Sequence, residues 1–83
     1  MTIKIGDKLT SNCGGCGLIG EMVVTKIVEV DPEFDVFNAG NLAYATETIS
    51  DETGIIRTYE VFFNVSKLVN GVMTFNDWTW IKQ

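Results

Sequence analysis

From residue 55 to residue 65 the chain reads IIRTYEVFFNV, a run rich in β-branched and aromatic side chains. Such side chains favour the pleated surface of a strand. Alternate positions of a strand share a face, so one face consists of Ile55, Arg57, Tyr59, Val61, Phe63 and Val65. Arg57 is the only charged residue there, and the opposite face is also partly apolar because Phe62 stands beside Phe63. This surplus predicts apolar surface left over for a partner or for a second copy of the chain.

Turn-forming residues flank this run on both sides. Before it, a strand is predicted over Ala43–Ile49, and Ser50–Gly54 predicts the hairpin loop of about five residues that joins this strand to the run. After it, Val69–Val72 contains Asn-Gly, the pair that tolerates the positive φ angles of a tight type I′ turn. The last apolar run, Val72–Lys82, is predicted to be one further strand.

The first half of the chain has the same character. Half of the residues in Glu21–Val30 are Val or Ile, which predicts a long strand rather than a helix. Asp31–Phe34 is a turn with aspartate first and proline second, and a return strand through Val36 and Phe37 should follow. Residues 38–41 (NAGN) predict another break in the strand.

Residues 3–11 (IKIGDKLTS) place a glycine–aspartate pair inside the first strand and resemble the start of many SH3-like barrels. The acidic, aromatic segment of peptide-binding SH3 domains is absent, so the resemblance implies a fold and no peptide groove. We predict one all-β domain over residues 1–83, with at most one short helical turn. The expected architecture is a small antiparallel SH3-like barrel or a strongly curved sheet of five to seven strands, since such shapes hide sheet edges.

Composition narrows the classes of function. With 46% hydrophobic and 20% charged residues, the 83-residue chain suits one folded core rather than disorder. Eleven acidic and six basic residues give a net charge of -5. Direct nucleic-acid binding is disfavoured because six scattered cations make no basic face, whereas a protein partner with a basic surface is favoured.

The sequence also bears on location and on catalysis. The first residues lack the apolar segment of a secretory signal, and no apolar run approaches the ~20 residues that cross a bilayer. We therefore expect a cytoplasmic protein that does not contact a membrane. The chain has no histidine, and its serines have no evident base beside them. We expect no enzymatic activity.

The glycine-rich segment Ser11–Gly20 holds the pair Cys13 and Cys16. The simplest interpretation is an ordinary loop, and the alternatives are a zinc site or a thiol-redox pair. Zinc would need further ligands, from carboxylates or from a second subunit, because there is no histidine and no third cysteine. We otherwise expect no cofactor.

The glycines of this segment admit a further interpretation. The backbone at Gly14, Gly15 and Gly17 is a candidate cradle for a small anion, such as a nucleotide at a homodimer interface. Residues 15–20 match G-x-G-x-x-G formally, with Asp35 near the ribose-binding offset. The dinucleotide interpretation is rejected because no helix is predicted to begin at these glycines.

Two further groups are candidates for partner binding. Every second residue from 29 to 35 is acidic, and Phe34 lies within this group, which consists of Glu29, Asp31, Glu33 and Asp35. It predicts a solvated turn or an acidic contact for a basic protein, and the spacing does not fit a calcium loop. Trp78 and Trp80 share a strand face and serve either the core or an interface.

Taken together, these features favour a non-enzymatic protein-binding module that acts through an acidic and aromatic surface. Small acidic β domains without histidine are typical of inhibitory or accessory proteins of phages and other mobile elements. The alternatives are a metal or redox protein centred on Cys13 and Cys16, and a binder of small anionic ligands.

Overall fold

The computed structural model describes residues 3–12, 17–34 and 40–83. Within these ranges the chain forms six strands: β1 (Lys8–Asn12), β2 (Ile19–Val30), β3 (Gly40–Asp51), β4 (Gly54–Asn64), β5 (Val72–Phe75) and β6 (Trp78–Lys82). They make one antiparallel sheet in the order β4-β3-β2-β1-β6-β5, which curls strongly into a half-barrel. The all-β prediction is therefore confirmed, and the predicted short helical turn is the 3₁₀ turn Val65–Lys67.

The hydrophobic core lies on the concave face of the half-barrel. Its buried members come from the strands and from the segment before β1, and they are Ile3, Leu9, Met22, Val24, Ala43, Ala45, Ile49, Phe63, Met73 and Trp80. Removing this apolar surface from water is the main source of the fold's stability. Gly20 is required by one close approach, because a Cβ atom there would stand 2.6 Å from the Trp80 ring.

The turns show where local sequence determined the structure. Asn70 and Gly71 have φ angles of 54° and 79°, and Val69 and Val72 exchange backbone hydrogen bonds of 2.9 and 3.0 Å. The predicted tight turn at Val69–Val72 is confirmed. Asp31–Phe34 is also a turn, since the Phe34 N–H donates a 3.0 Å hydrogen bond to the Asp31 carbonyl oxygen.

Three sequence-based boundaries were wrong. The run Val72–Lys82 is two strands, because Asn76 and Asp77 adopt φ angles of 51° and 66° and reverse the chain. The loop after β3 is shorter than the predicted five residues, with only residues 52 and 53 between the two strands. Gly40 and Asn41 belong to β3 rather than to a break. The predicted strand through Val36 and Phe37 lies outside the described residues.

β1 joins the two halves of the sheet, the β2–β3–β4 meander and the β5–β6 hairpin. It pairs with β6 through two residue pairs, Leu9 with Lys82 and Thr10 with Ile81. The Ser11 hydroxyl reinforces this narrow junction by donating a 2.6 Å hydrogen bond to the Thr79 carbonyl oxygen. In the described part of the chain, no helix has the length and hydropathy that crossing a membrane requires.

Candidate protein-binding surfaces

The first candidate surface is the turn that follows β2, which we call the hairpin tip and define by Glu29, Asp31, Glu33 and Phe34. All four side chains are exposed, and 90% of the Phe34 surface is open to solvent. The Asp31 carboxylate accepts a 2.8 Å hydrogen bond from the Glu33 N–H, which fixes the turn. Three exposed carboxylates and one exposed aromatic ring thus belong to the same turn. Asp35, the fourth predicted member, lies outside the described residues.

A shallow groove lies beside the hairpin tip. Val28 and Leu42 face each other across β2 and β3 and form its apolar floor. Phe34 and the three tip carboxylates border it. An apolar floor with an acidic rim suits a partner side chain that has an aliphatic stem and a cationic end, such as lysine or arginine.

The tryptophan pair lies on the concave face. Trp78 and Trp80 stack with ring centroids 6.1 Å apart and an interplanar angle of 22°. Trp80 is 1% exposed and its indole N–H donates a 3.3 Å hydrogen bond to the Phe75 carbonyl oxygen. The prediction that the two rings share a face is confirmed. The prediction that Trp80 binds a partner is wrong, because Trp80 is a core residue whose ring fills the space that Gly20 leaves. Trp78 is half-buried.

The second candidate surface is on β4, at one end of the strand order. Four large apolar side chains there are more than half exposed, and we call them the β4 edge: Ile55, Ile56, Tyr59 and Phe62. The Arg57 guanidinium lies 5.3 Å from the Tyr59 ring centroid, and the Phe62 ring lies 5.8 Å from that of Tyr44. The surplus of apolar groups on both faces of this run was visible in the sequence.

One buried carboxyl was not singled out in the sequence. Glu47 is 4% exposed and lies on the concave side of β3, opposite Tyr59 of β4. Burial raises the pKa of its carboxyl, while the positive charge of Arg57 opposes this effect. The signal in the sequence was that Glu47 shares one alternating face of β3 with Ala43, Ala45 and Ile49. A cavity of about 20 Å³ between Glu47, Arg57 and the tryptophans has room for about one water molecule.

The glycine-rich segment is only partly described. Gly17 is exposed with a φ angle of 73°, whereas Gly14, Gly15, Cys13 and Cys16 lie outside the described residues. The segment connects β1 to β2, whose ends pair at Asn12 and Ile19. Strand β2 begins at Ile19, where the dinucleotide motif would require a helix. Among the described residues, no three or more acidic or cysteine side chains are grouped so as to hold a metal ion.

No family model, no curated protein and no solved structure matches this chain. The evidence for its function is therefore the chemistry of its own surfaces.

Proposed function

We propose that this protein is a non-enzymatic protein-binding module whose hairpin tip contacts a basic surface of another protein. The observation that carries the proposal is Phe34, 90% exposed and bordering the same groove as three exposed carboxylates. An aromatic side chain held in water at the end of a fixed turn is typical of an anchor residue in protein interfaces.

The two kinds of side chain have different roles in the proposed complex. Phe34 and the groove floor supply apolar surface that leaves water on binding. Glu29, Asp31 and Glu33 select a positively charged partner and accelerate its approach, an effect that salt weakens. The net charge of -5 acts in the same direction at long range.

A contact of this kind covers a basic surface on its target. Many basic surfaces serve to bind phosphate groups, so covering one blocks the target's own ligand. An inhibitory or accessory role in a phage or other mobile element is consistent with this arrangement. The proposed partner is a protein, and neither nucleic acid nor a membrane is expected to bind directly.

The test compares three forms of the immobilised protein as baits for lysate proteins: wild type, Phe34→Ala, and the triple variant Glu29→Gln, Asp31→Asn and Glu33→Gln. The amide introduced by Asp31→Asn keeps an oxygen that accepts the turn hydrogen bond, so the triple variant removes charge without removing the turn. The matched control removes three exposed charges elsewhere, through Glu21→Gln, Glu52→Gln and Asp77→Asn.

We expect at least one protein with a basic surface that the wild type and the control retain and that both tip variants lose. Its retention should fall steeply with salt. Equal capture by all four forms would eliminate the hairpin tip as the binding surface.

A further inference from the structure

In the part of the chain that the structure describes, the outer edge of β4 is open. Among residues 3–12, 17–34 and 40–83, the structure pairs β4 with β3 alone, at one end of the sheet. Alternate residues of β4 therefore direct their backbone N–H and C=O groups away from β3. Such a row is a template for another strand, and natural sheets usually protect it with lysine, proline, bulges or brevity.

β4 has little of that protection. It is eleven residues long, contains neither proline nor lysine, and shifts register against β3 only near its start, between Ile49 and Ser50. Its four exposed apolar side chains occupy both faces of the strand. An edge that is long, hydrophobic and unguarded favours pairing with a further strand.

We propose that β4 pairs antiparallel with β4 of a second copy of the chain, which joins the two sheets into one across a two-fold axis. The charge of β4 favours a second copy of the chain as the source of the partner strand. The chain is acidic overall, but Arg57 and Glu60 are the only charged residues of β4 and their charges cancel. Two copies of this strand therefore approach without local repulsion, whereas a basic partner is drawn to the hairpin tip.

Symmetry restricts the register of such a pair. Directly opposed residues in an antiparallel pair point to the same face, so the two-fold axis must pass between a residue and its own copy. Axes at Arg57 or Glu60 would oppose like charges, which is destabilising. An axis at Thr58 would set Ile56 against the carboxylate of Glu60.

The axis at Tyr59 opposes no like charges, and Arg57 with Val61 is the one pair in which it sets a charge against an apolar side chain. It sets Tyr59 against its own copy, where two rings can stack, and it brings Ile56, at the register shift, close to Phe62 of the other copy. Regular pairing then runs from Arg57 to Val61 in both copies, because β4 shifts register against β3 at Ile56. Such a ladder supplies about four to six hydrogen bonds, and the exposed apolar side chains beside it add surface that leaves water. Of the axes at residues 57 to 60, the one at Tyr59 therefore makes β4 the most complementary to itself.

Analytical ultracentrifugation and native mass spectrometry of the purified protein test this proposal. We expect the wild type to have twice the 9.2 kDa mass of the chain. Ile56→Lys places a desolvated ammonium against Phe62 and should halve the mass at the same concentration. Val72→Lys is the matched control, because it puts the same exposed charge on β5 at the other edge, and it should remain dimeric.

Circular dichroism checks that both lysine variants stay folded. A monomeric wild type at 100 μM, or equal dissociation by Ile56→Lys and Val72→Lys, would overturn the proposal. Phe34→Ala should remain dimeric, so dissociation by that variant would also contradict it. Loss of partner binding without loss of the dimer separates the hairpin tip from β4.

Crosslinking tests the register. In a Cys13→Ser, Cys16→Ser background, Tyr59→Cys places two thiols directly opposite each other, at a Cα separation of about 4.5–5.5 Å that a disulfide accepts. Thr58→Cys is the neighbouring control, since its copy lies two residues further along the partner strand. Rapid disulfide formation at position 59 and slow formation at 58 support the axis at Tyr59. The reverse order would refute this register.

Discussion

The two edges of the sheet differ in length and in what secures them. β5 has four residues between two tight turns, at Asn70-Gly71 and Asn76-Asp77, so it offers little backbone to another strand. β4 has eleven residues and four exposed apolar side chains. The same sheet thus protects one edge by brevity and leaves the other suited to pairing.

The largest expected effect comes from the core beneath the β5 side. Trp80→Ala removes a buried ring that packs on Gly20 and should lower the free energy of unfolding by about 3–5 kcal/mol. Phe62→Ala on the β4 edge should cost only about 1 kcal/mol, because that ring is half exposed.

Urea unfolding in the monomeric Ile56→Lys background measures both losses without a contribution from dimerisation. If Trp80→Ala does not fold, Trp80→Phe gives a smaller loss that can still be measured. Equal losses of unfolding free energy at positions 80 and 62 would show that the buried core on the β5 side contributes no more to stability than the exposed β4 edge.

The next effect concerns the turn that keeps β5 short. Gly71 has a φ angle of 79°, where a side chain is strained, so Gly71→Ala should cost about 1–2 kcal/mol. Asn76→Gly is the opposite change at the other turn, where φ is 51°, and should leave stability unchanged or slightly raised. Thermal unfolding measures both, and a neutral Gly71→Ala would contradict the strain assigned to this turn.

The pH dependence of stability tests the role of the buried Glu47 on β3, which lies opposite Tyr59 of β4. Burial raises the pKa of Glu47 above its ordinary value of 4.5, so folding favours the neutral carboxyl. The resulting stabilisation is complete below pH 4.5 and is lost as pH rises through the folded-state pKa. Glu47→Gln should therefore gain stability relative to wild type as pH rises above 4.5.

Urea unfolding between pH 4 and pH 7.5 follows this difference. Glu21→Gln removes the same charge from an exposed position on β2 and serves as the control. Parallel stability profiles for wild type and Glu47→Gln would show that the buried carboxyl does not influence folding.

The smallest effect is expected at the loop between β3 and β4. The Thr53 hydroxyl donates a 2.6 Å hydrogen bond to the Asp51 carboxylate, and the Thr53 N–H donates one of 2.7 Å. These bonds, the hydroxyl's more than the N–H's, lower the pKa of the Asp51 carboxyl below 3.8. Asp51 therefore stabilises the fold above pH 3.8, and that contribution is lost as pH falls through the lowered pKa. Asp51→Asn should flatten the acid limb of the stability profile, and an unchanged limb would be the contrary result.

Local signals in the sequence were sufficient for much of the fold. Val and Ile in Glu21–Val30 predicted β2, and Asn70-Gly71 predicted its turn, because both depend on backbone preferences of adjacent residues. Asn76-Asp77 was missed because its flanking residues suit a continuous strand and aspartate is a weaker signal than glycine for positive φ. Local sequence thus predicted the presence of a strand or turn more reliably than the residues at which it begins and ends.

The placement of the candidate surfaces required information that lies far apart in the chain. Alternation put Trp78 and Trp80 on one face but did not show that Trp80 is buried, because the space for its ring is left by Gly20, about sixty residues away in the chain. Likewise, β4 is an edge because β5 and β6 continue the sheet beside β1 rather than beside β4. The hairpin tip was found because its acidic residues and Phe34 are contiguous.

The narrow junction between β1 and β6 has a consequence for synthesis. Residues 8–64 can assemble the β1–β2–β3–β4 part of the sheet while the chain is still being made, since each strand there pairs with its sequence neighbour. The concave apolar surface stays uncovered until β6 leaves the ribosome and Trp80 reaches Gly20. β6 therefore closes contacts with β1, which is made much earlier, and the nascent chain exposes this apolar surface until residues 78–82 have emerged from the ribosome.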